Sequence, residues 1–185
     1  MMNRTTAFLL GCLAWVLASC ATTGTGGTTD RTGTGTGGPI TTTQAEREFV
    51  ENAASGGQLR LQLSELAQQK TSNLEVREFA RLLAKQQTTT RSELRDIAQQ
   101  LRITYPTELK QAHKAVYDRV AGLSGSDFDR SYVREVEQSF LQDISVYQNA
   151  GSATTNFALR GHILKTTPIM QGQLRLATQL KNILP

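Results

Sequence analysis

Hydrophobic side chains recur at intervals of three and four residues along most of the chain, the spacing of helices that bury one face. The pattern predicts four long helices and a shorter one, over about residues 43–68, 72–105, 107–123, 126–149 and 155–184. No stretch of useful length shows the period of two that a strand requires. The sequence therefore predicts an all-α fold, an antiparallel four-helix bundle with a short extra helix between the second and third long helices. The Leu and Phe stripes are interpreted as core rather than as grooves for partners.

Capping patterns mark where the predicted helices begin. Thr43 and Glu46 are spaced as a capping box, in which a hydroxyl and a carboxylate bond each other's backbone N–H groups. Ser72 and Glu75 repeat this spacing and predict the start of the second helix. Pro106 predicts the end of that helix, because proline disfavours helical backbone at the residue before it.

Glycine and proline within or beside the predicted helices indicate close packing, helix ends or kinks. Gly56 and Gly57 lie within the first helix, where they predict close approach by a neighbouring helix rather than a break. Gly151 follows the pattern of the third long helix and predicts its end. Pro168 lies inside the last helix, where a missing backbone hydrogen bond predicts a kink.

Polar or unusual residues interrupt the apolar stripes near the middle of the long helices. These positions are Arg60, Gln86, Gln87, Phe140 and Gln173. Because midpoints of antiparallel helices share one level, the positions predict a central polar layer. Arg60 is expected to be buried with hydrogen-bonded partners, and Gln87 is expected to pair with Gln173 amide to amide.

The residues of this layer are poor candidates for chemistry. Four-helix bundles of the ferritin type bind metal there through carboxylates and Glu-x-x-His pairs, but Lys110 precedes His113 and Leu159 precedes His162 at that spacing. Both histidines are interpreted as surface or satisfied side chains. Nucleophile motifs such as GxSxG and Ser-x-x-Lys are absent. We therefore expect no catalytic residue, no metal and no cofactor, while a pocket for a small anion anchored by Arg60 stays open as an alternative.

The N-terminus has the composition of an export signal. Residues 1–19 carry one charge and an apolar run, and Leu17-Ala18-Ser19-Cys20 matches a bacterial lipobox. Cleavage before Cys12 would leave almost no apolar run upstream, so Cys20 is the predicted lipidation site. Ala21 after the cysteine, in place of an aspartate that would favour inner-membrane retention, favours the outer membrane.

A segment rich in Thr and Gly follows the predicted signal. Residues 20–42 contain almost no apolar side chain, so they cannot offset the entropy of ordering and predict a disordered tether. The folded bundle domain is expected over residues 43–185. The only cysteines are Cys12, which leaves with the signal, and Cys20, so no disulfide is expected.

Charge excludes one class of partner and leaves another open. The formal net charge is +4, which is too small to indicate nucleic-acid binding. Residues 145–185 hold four basic side chains and no acidic one. This bias has two interpretations, a solvated helix face or a contact with anionic lipid or surface polymer.

Motifs along residues 43–180 resemble a known family. The matching pieces are Phe49-Val50-x-x-Ala53-Ala54 with Gly56-Gly57, Leu63-x-x-Leu66-Ala67, Val76-Arg77-x-Phe79-Ala80, Phe128-Asp129-x-x-Tyr132, and Pro168 followed by Leu174. Their order and spacing resemble domain of unknown function 4142, a ferritin-like bundle of the bacterial envelope that is often carried on lipoproteins. The resemblance implies replaced ligand positions, with Arg60 for Glu, Gln86-Gln87 for an Asp-His pair, and Phe140 and Gln173 each for His. It therefore implies a divergent member without a metal at this layer.

These observations predict a role without catalysis. We expect a lipid-anchored protein that faces the periplasm, with the outer membrane favoured, and that acts as a structural or interaction module. Its expected contacts are the membrane, through the N-terminal lipid, and an envelope protein partner, but no nucleic acid. The alternative is a ferritin-like metal-binding or redox protein of the envelope, whose ligands lie outside the aligned positions.

Overall fold

Five α-helices make up most of residues 41–185, the part of the chain that the computed structural model describes, and this part contains no strand. The helices are α1 (Gln44–Lys70), α2 (Leu74–Gln100), α3 (Gln111–Ala121), α4 (Gly125–Ala153) and α5 (Phe157–Ile183). The prediction of an all-α fold is confirmed. The predicted signal peptide, Cys20 and the tether up to residue 40 lie outside the described residues.

The N-terminus of α1 has the predicted capping box. Thr43 N–H donates to Glu46 Oε2 (2.9 Å), and Glu46 N–H donates to Thr43 Oγ1 (3.2 Å). Thr42, predicted as part of the tether, donates its hydroxyl to the Leu101 carbonyl (2.9 Å). The second predicted box is wrong, because Asn73 is the N-cap of α2 and accepts from the N–H of Val76 (3.0 Å).

The end of α2 lies before the position that Pro106 predicted. Arg102 has a positive φ of 55°, and the Ile103 N–H bonds back to the Ala98 carbonyl (2.8 Å). The Arg102 N–H bonds to the Gln99 carbonyl (3.1 Å), which completes a Schellman motif. The helix therefore ends at Gln100 because a non-glycine residue adopts the left-handed conformation.

The prediction that Gly151 ends the third long helix is also wrong. Residue 151 lies inside α4, which continues to Ala153. A Cβ atom at this position would lie 2.9 Å from Ile163 Cγ2 of α5. The glycine is therefore needed for close packing of α4 on α5 and does not terminate the helix.

The four long helices contact one another in a ring. α1 packs against α2 and α4, and α5 packs against the same two helices. Thr154, after α4, donates to Glu46 at the start of α1 (2.5 Å), while Lys70 at the end of α1 donates to the Ala121 and Leu123 carbonyls just before α4. α1 and α4 are therefore antiparallel.

The short helix α3 is the crossover between α2 and α4. It packs against α1 and α4, and within residues 41–185 no element covers the outer side of α2 and α5. The apolar spacing predicts buried stripes in α1 and α5, and their hydrophobic members are buried: Phe49, Ala53, Leu63 and Ala67 in α1, and Leu159, Ile163, Met170, Ala177 and Leu180 in α5. In α4 the same spacing predicts that Ile144 is buried, but Ile144 is only partly buried and Asp143 is buried instead.

Candidate functional site

Arg60 lies in the middle of α1 and points into the helical core. Arg60 is 2% exposed, which confirms the prediction that it is buried. Nη1 donates to Ser139 Oγ (2.6 Å) and to Asp143 Oδ2 (2.6 Å), both on α4. The guanidinium carbon also lies 4.8 Å from the centre of the Phe140 ring, within range of a cation–π interaction. Arg60 therefore has a carboxylate, a hydroxyl and an aromatic face as neighbours.

Gly56 explains how α4 comes close enough to form this ion pair. Gly56 lies one helical turn before Arg60, on the same face of α1. A Cβ atom at position 56 would lie 2.5 Å from Asp143 Oδ2, closer than any real contact. The missing side chain is therefore what allows the carboxylate to sit between the two helices, and the predicted close approach at Gly56 is confirmed.

The two glutamines of the layer are both buried, with Gln87 3% and Gln173 6% exposed. The predicted amide pair is wrong, since no hydrogen bond joins their side chains in the described residues and Gln173 Oε1 has no partner there. Gln87 Oε1 instead lies beside Gly57, where an added Cβ would be 3.3 Å away. Gln86 is only partly buried and donates along its own helix to Thr90 Oγ1 (3.3 Å), so it does not join the layer.

The chemistry of these side chains is that of a closed core. Arg60 and Asp143 neutralise each other, and Phe140 is fully buried and fills the adjacent volume. Amides are weak ligands for transition metals, and guanidinium repels a cation. Within residues 41–185, no group of three or more His, Cys, Asp and Glu side chains is placed to hold a metal ion.

A second polar cluster lies where α3 begins against α1. Ser55 Oγ lies 2.7 Å from His113 Nδ1 and accepts from the Lys110 N–H (2.8 Å). A hydroxyl has one donor and two acceptor positions, so Ser55 can either donate to Nδ1 or accept from it, according to the tautomer of His113. Burial lowers the pKa of His113; the Arg60 and Lys110 charges lower it further, and the Asp143 carboxylate raises it.

The pairing of Ser55 with His113 has the distance of a nucleophile and its base, and it also links α1 to α3. Ser55 is 1% exposed, and its oxygen accepts from the N–H of Lys110, the residue just before α3. This contact fastens the crossover helix to α1. Sequence reasoning missed it because the two residues are 58 positions apart and no local pattern joins them.

His162 in α5 is buried at 4% exposure, and neither ring nitrogen has a hydrogen-bond partner in the described residues. Its Nδ1 lies 3.8 Å from Glu93 Oε2, and the Glu93 carboxylate also binds Lys165 (2.6 Å). Burial lowers the pKa of His162, with the Glu93 charge opposing that effect. The expectation of a surface or satisfied histidine is therefore wrong for His162.

Comparison with known proteins gives a family and a structural neighbour. The family model described as "Domain of unknown function (DUF4142)" matches residues 33–180, starting ten residues before the resemblance seen in the motifs. A solved structure described as "putative secreted protein DUF305 from Streptomyces coelicolor" has a TM-score of 0.63 at 13% identity, over 74% of this chain and 89% of that chain. At this identity the likeness shows a shared helical fold alone. No curated protein matches the chain.

In residues 41–185, none of the five helices is both long enough and apolar enough to cross a membrane.

Proposed function

The chain belongs to the DUF4142 family of domains of unknown function, and from this premise we propose that it is a lipid-anchored bacterial envelope protein acting as a non-enzymatic structural or interaction module. In this proposal α1, α2, α4 and α5 form an antiparallel four-helix bundle of the ferritin-like class. The single crossover through α3 supports that assignment, because ferritin-like folds have one long connection of this kind.

The ion pair between Arg60 and Asp143 carries the non-enzymatic part of the proposal. It occupies the level at which such bundles bind metal ions, and it places a permanent cation there. A bound anion would compete with Asp143, which already accepts from the guanidinium at 2.6 Å. The layer is therefore better suited to hold α1 against α4 than to bind and release a ligand.

The anchor is supported by the sequence Leu17-Ala18-Ser19-Cys20 and by the composition that follows it. A Gly-rich segment of this length has a root-mean-square span of about 25 Å, enough to hold a domain near a bilayer while it reorients. Several acyl chains at about 0.8 kcal/mol per buried methylene make such anchorage stable. Ala21 favours sorting to the outer membrane.

Metabolic labelling with an alkyne analogue of palmitate tests the anchor. The wild-type chain and a Cys12→Ala variant are expected to carry the label and to fractionate with the outer membrane. A Cys20→Ala variant is expected to lose the label and to stay soluble or uncleaved. Label that persists in Cys20→Ala and disappears in Cys12→Ala would show that the other cysteine is acylated, and label in neither wild type nor variant would refute the anchor.

A further inference from the structure

The C-terminal half of α2 carries arginines that have no carboxylate partner. Arg91 and Arg95 lie one helical turn apart, and Arg102 follows the end of the helix. None of the ion pairs within residues 41–185 includes any of these three arginines. Like charges four residues apart on a helix repel each other, so the pair Arg91 and Arg95 is unfavourable for the helix itself.

Gly57 of α1 gives Arg91 its position. A Cβ atom at residue 57 would lie 3.1 Å from Arg91 Cγ and 3.2 Å from Arg91 Cδ. The apolar stem of Arg91 therefore packs on α1 where the glycine leaves space. This contact gives a role to the second glycine of the Gly56-Gly57 pair, because only Gly56 lies against Asp143.

Tyr105, in the connection between α2 and α3, lies close to the same arginines. The Arg95 guanidinium carbon is 5.1 Å from the centre of the Tyr105 ring. Burial raises the pKa of the Tyr105 hydroxyl; the guanidinium groups of Arg91 and Arg95 oppose that rise, and no carboxylate of the described residues takes part. The hydroxyl therefore keeps its proton at neutral pH and can donate a hydrogen bond.

Two buried donors at this place have no acceptor. The Arg91 Nε–H and the Tyr105 O–H both lack a hydrogen-bond partner in residues 41–185. A buried donor without a partner is rarer in proteins than an acceptor without one, so these groups indicate a ligand that has acceptor oxygens. A water molecule supplies acceptors but no charge to balance the guanidinium groups, whereas an oxyanion supplies both.

The carboxylates that flank these residues in the chain are not placed to serve as that anion. Glu93 binds Lys165 of α5 (2.6 Å), on the other side of α2. Asp96 is exposed and projects about 100° around the helix from Arg95. Glu108 is exposed and forms no ion pair within residues 41–185. The place therefore has donors and positive charge but no carboxylate that meets them.

We propose that Arg91, Arg95 and Tyr105 bind a phosphate group, either on a phospholipid headgroup or as free phosphate. Guanidinium groups match the geometry of phosphate oxygens and bind them by charge-assisted hydrogen bonds. A carboxylate has two oxygens in one plane, whereas a phosphate monoester has three that point in different directions. Donors from α2 and from the connection to α3 can therefore share one phosphate.

The position of the site makes a membrane lipid one source of the phosphate. The carbonyl of Leu101, next to Arg102, accepts from Thr42 Oγ1 (2.9 Å), so this end of α2 lies beside the residues that follow the predicted tether. Arg95 lies about 9 Å from Leu101 along the helix. The lipid source rests on the proposed anchor, but binding of free phosphate does not. Failure of the site to bind phosphate would therefore leave the anchor untouched.

Isothermal titration calorimetry with inorganic phosphate tests the site in the full chain, purified in detergent without other oxyanions. The wild type is expected to bind phosphate saturably. Arg91→Gln and Arg95→Gln should each weaken binding at least about tenfold, and Tyr105→Phe about threefold, since charged hydrogen bonds contribute more than neutral ones. Arg95 is exposed, so its replacement keeps the test valid if Arg91→Gln lowers stability.

Arg175→Gln in α5 is the matched control, because Arg175 is exposed, forms no ion pair in the described residues and changes the net charge equally when replaced. This variant is expected to bind phosphate as the wild type does. No saturable binding by the wild type, or equal weakening in Arg175→Gln and Arg95→Gln, would overturn the proposal.

Hydrogen exchange of residues 101–110 identifies the source of the phosphate. The full chain is reconstituted into vesicles of phosphatidylglycerol or of a galactolipid without phosphate. Greater protection in phosphatidylglycerol that is lost in Arg95→Gln would support the site with a lipid headgroup as its ligand. Equal protection in both vesicles, with protection gained on adding inorganic phosphate, would support the site with free phosphate as its ligand. Protection that responds to neither form of phosphate would overturn the proposal.

Discussion

The ion pair between Arg60 and Asp143 provides the sharpest test of how the central layer is stabilised. Replacing Asp143 by Ala would leave a guanidinium that is 2% exposed, with Ser139 as its remaining hydrogen-bond acceptor and Phe140 as its neighbour. Removing one partner of a buried ion pair costs about 3–5 kcal/mol. We therefore expect Asp143→Ala to lower the free energy of unfolding by that amount, a large fraction of the stability of a domain of this size.

The reciprocal variant is expected to cost less. Arg60→Met keeps most of the buried volume and leaves the Asp143 side chain, which is 13% exposed and can regain water more easily. An unpaired polar group in that position costs about 1–3 kcal/mol. The double variant removes both charges, so its loss should be smaller than the sum of the single losses, with a coupling energy of about 2 kcal/mol.

Urea unfolding followed by far-ultraviolet circular dichroism measures the four free energies of this cycle. A coupling energy near 2 kcal/mol that changes little with added salt would agree with a buried pair, because salt screens exposed charges far more than buried ones. If the loss in the double variant equals the sum of the two single losses within about 0.5 kcal/mol, the reasoning is refuted and the two charges act independently.

Three further predictions concern glycines and a histidine. Gly56→Ala should lower the free energy of unfolding by about 1–2 kcal/mol, because the added Cβ collides with Asp143. In the Asp143→Ala background the same change should raise it, because only the better helix propensity of alanine remains. A change of the same sign in both backgrounds, measured by urea unfolding, would contradict this. Gly172→Ala should raise the free energy of unfolding of the single chain by up to about 1 kcal/mol, and a loss in urea unfolding would contradict the open surroundings. Because the folded pKa of His162 lies below its ordinary 6.5, the unfolded chain takes up the proton first, and stability should fall below pH 6.5 by up to about 1.4 kcal/mol per pH unit. His162→Leu should reduce that slope in urea unfolding at pH 7.5 and 5.5, and an unchanged slope would contradict it.

The periodicity of apolar residues predicted the helices and most of the buried faces, but it chose the wrong residue in α4. Ile144 fits an apolar stripe and Asp143 does not, yet Asp143 is buried and Ile144 is partly exposed. Both follow Phe140 at a helical spacing, and a carboxylate is disfavoured in a core unless a cation meets it. That cation is Arg60, 83 residues earlier, so only the tertiary contact decides between the two positions.

Helix ends were the least predictable feature, for physical reasons that differ from one end to another. α2 ends through the positive φ of Arg102, a conformation that no residue pattern signals when the residue is not glycine. α4 passes through Gly151, since close packing against Ile163 requires a glycine there. The same residue type therefore marks either the end of a helix or a close contact, and the neighbouring helix decides which.

The outer face of α5 shows where sequence reasoning about function stopped. Leu164 and Leu176 lie outside the stripe of this helix that the apolar pattern predicted to be buried, and they are 68% and 42% exposed. The helix carries apolar residues on two faces, and periodicity alone does not show which face is covered. Only the position of α3, on the far side of the molecule, shows that the outer face is left without a neighbour in the described chain.

Elemental analysis tests the central claim most directly. The claim is that the Arg60–Asp143 ion pair occupies the central layer, where a four-helix bundle of the ferritin type would bind a metal. The protein is purified without chelators, loaded separately with iron, zinc and manganese, dialysed, and measured by inductively coupled plasma mass spectrometry. We predict that no metal remains in stoichiometric amount, either in the wild type or in a Gln87→Ala variant. Stoichiometric metal in the wild type that is lost in Gln87→Ala or Gln173→Ala would contradict the account and would identify the layer as a metal site.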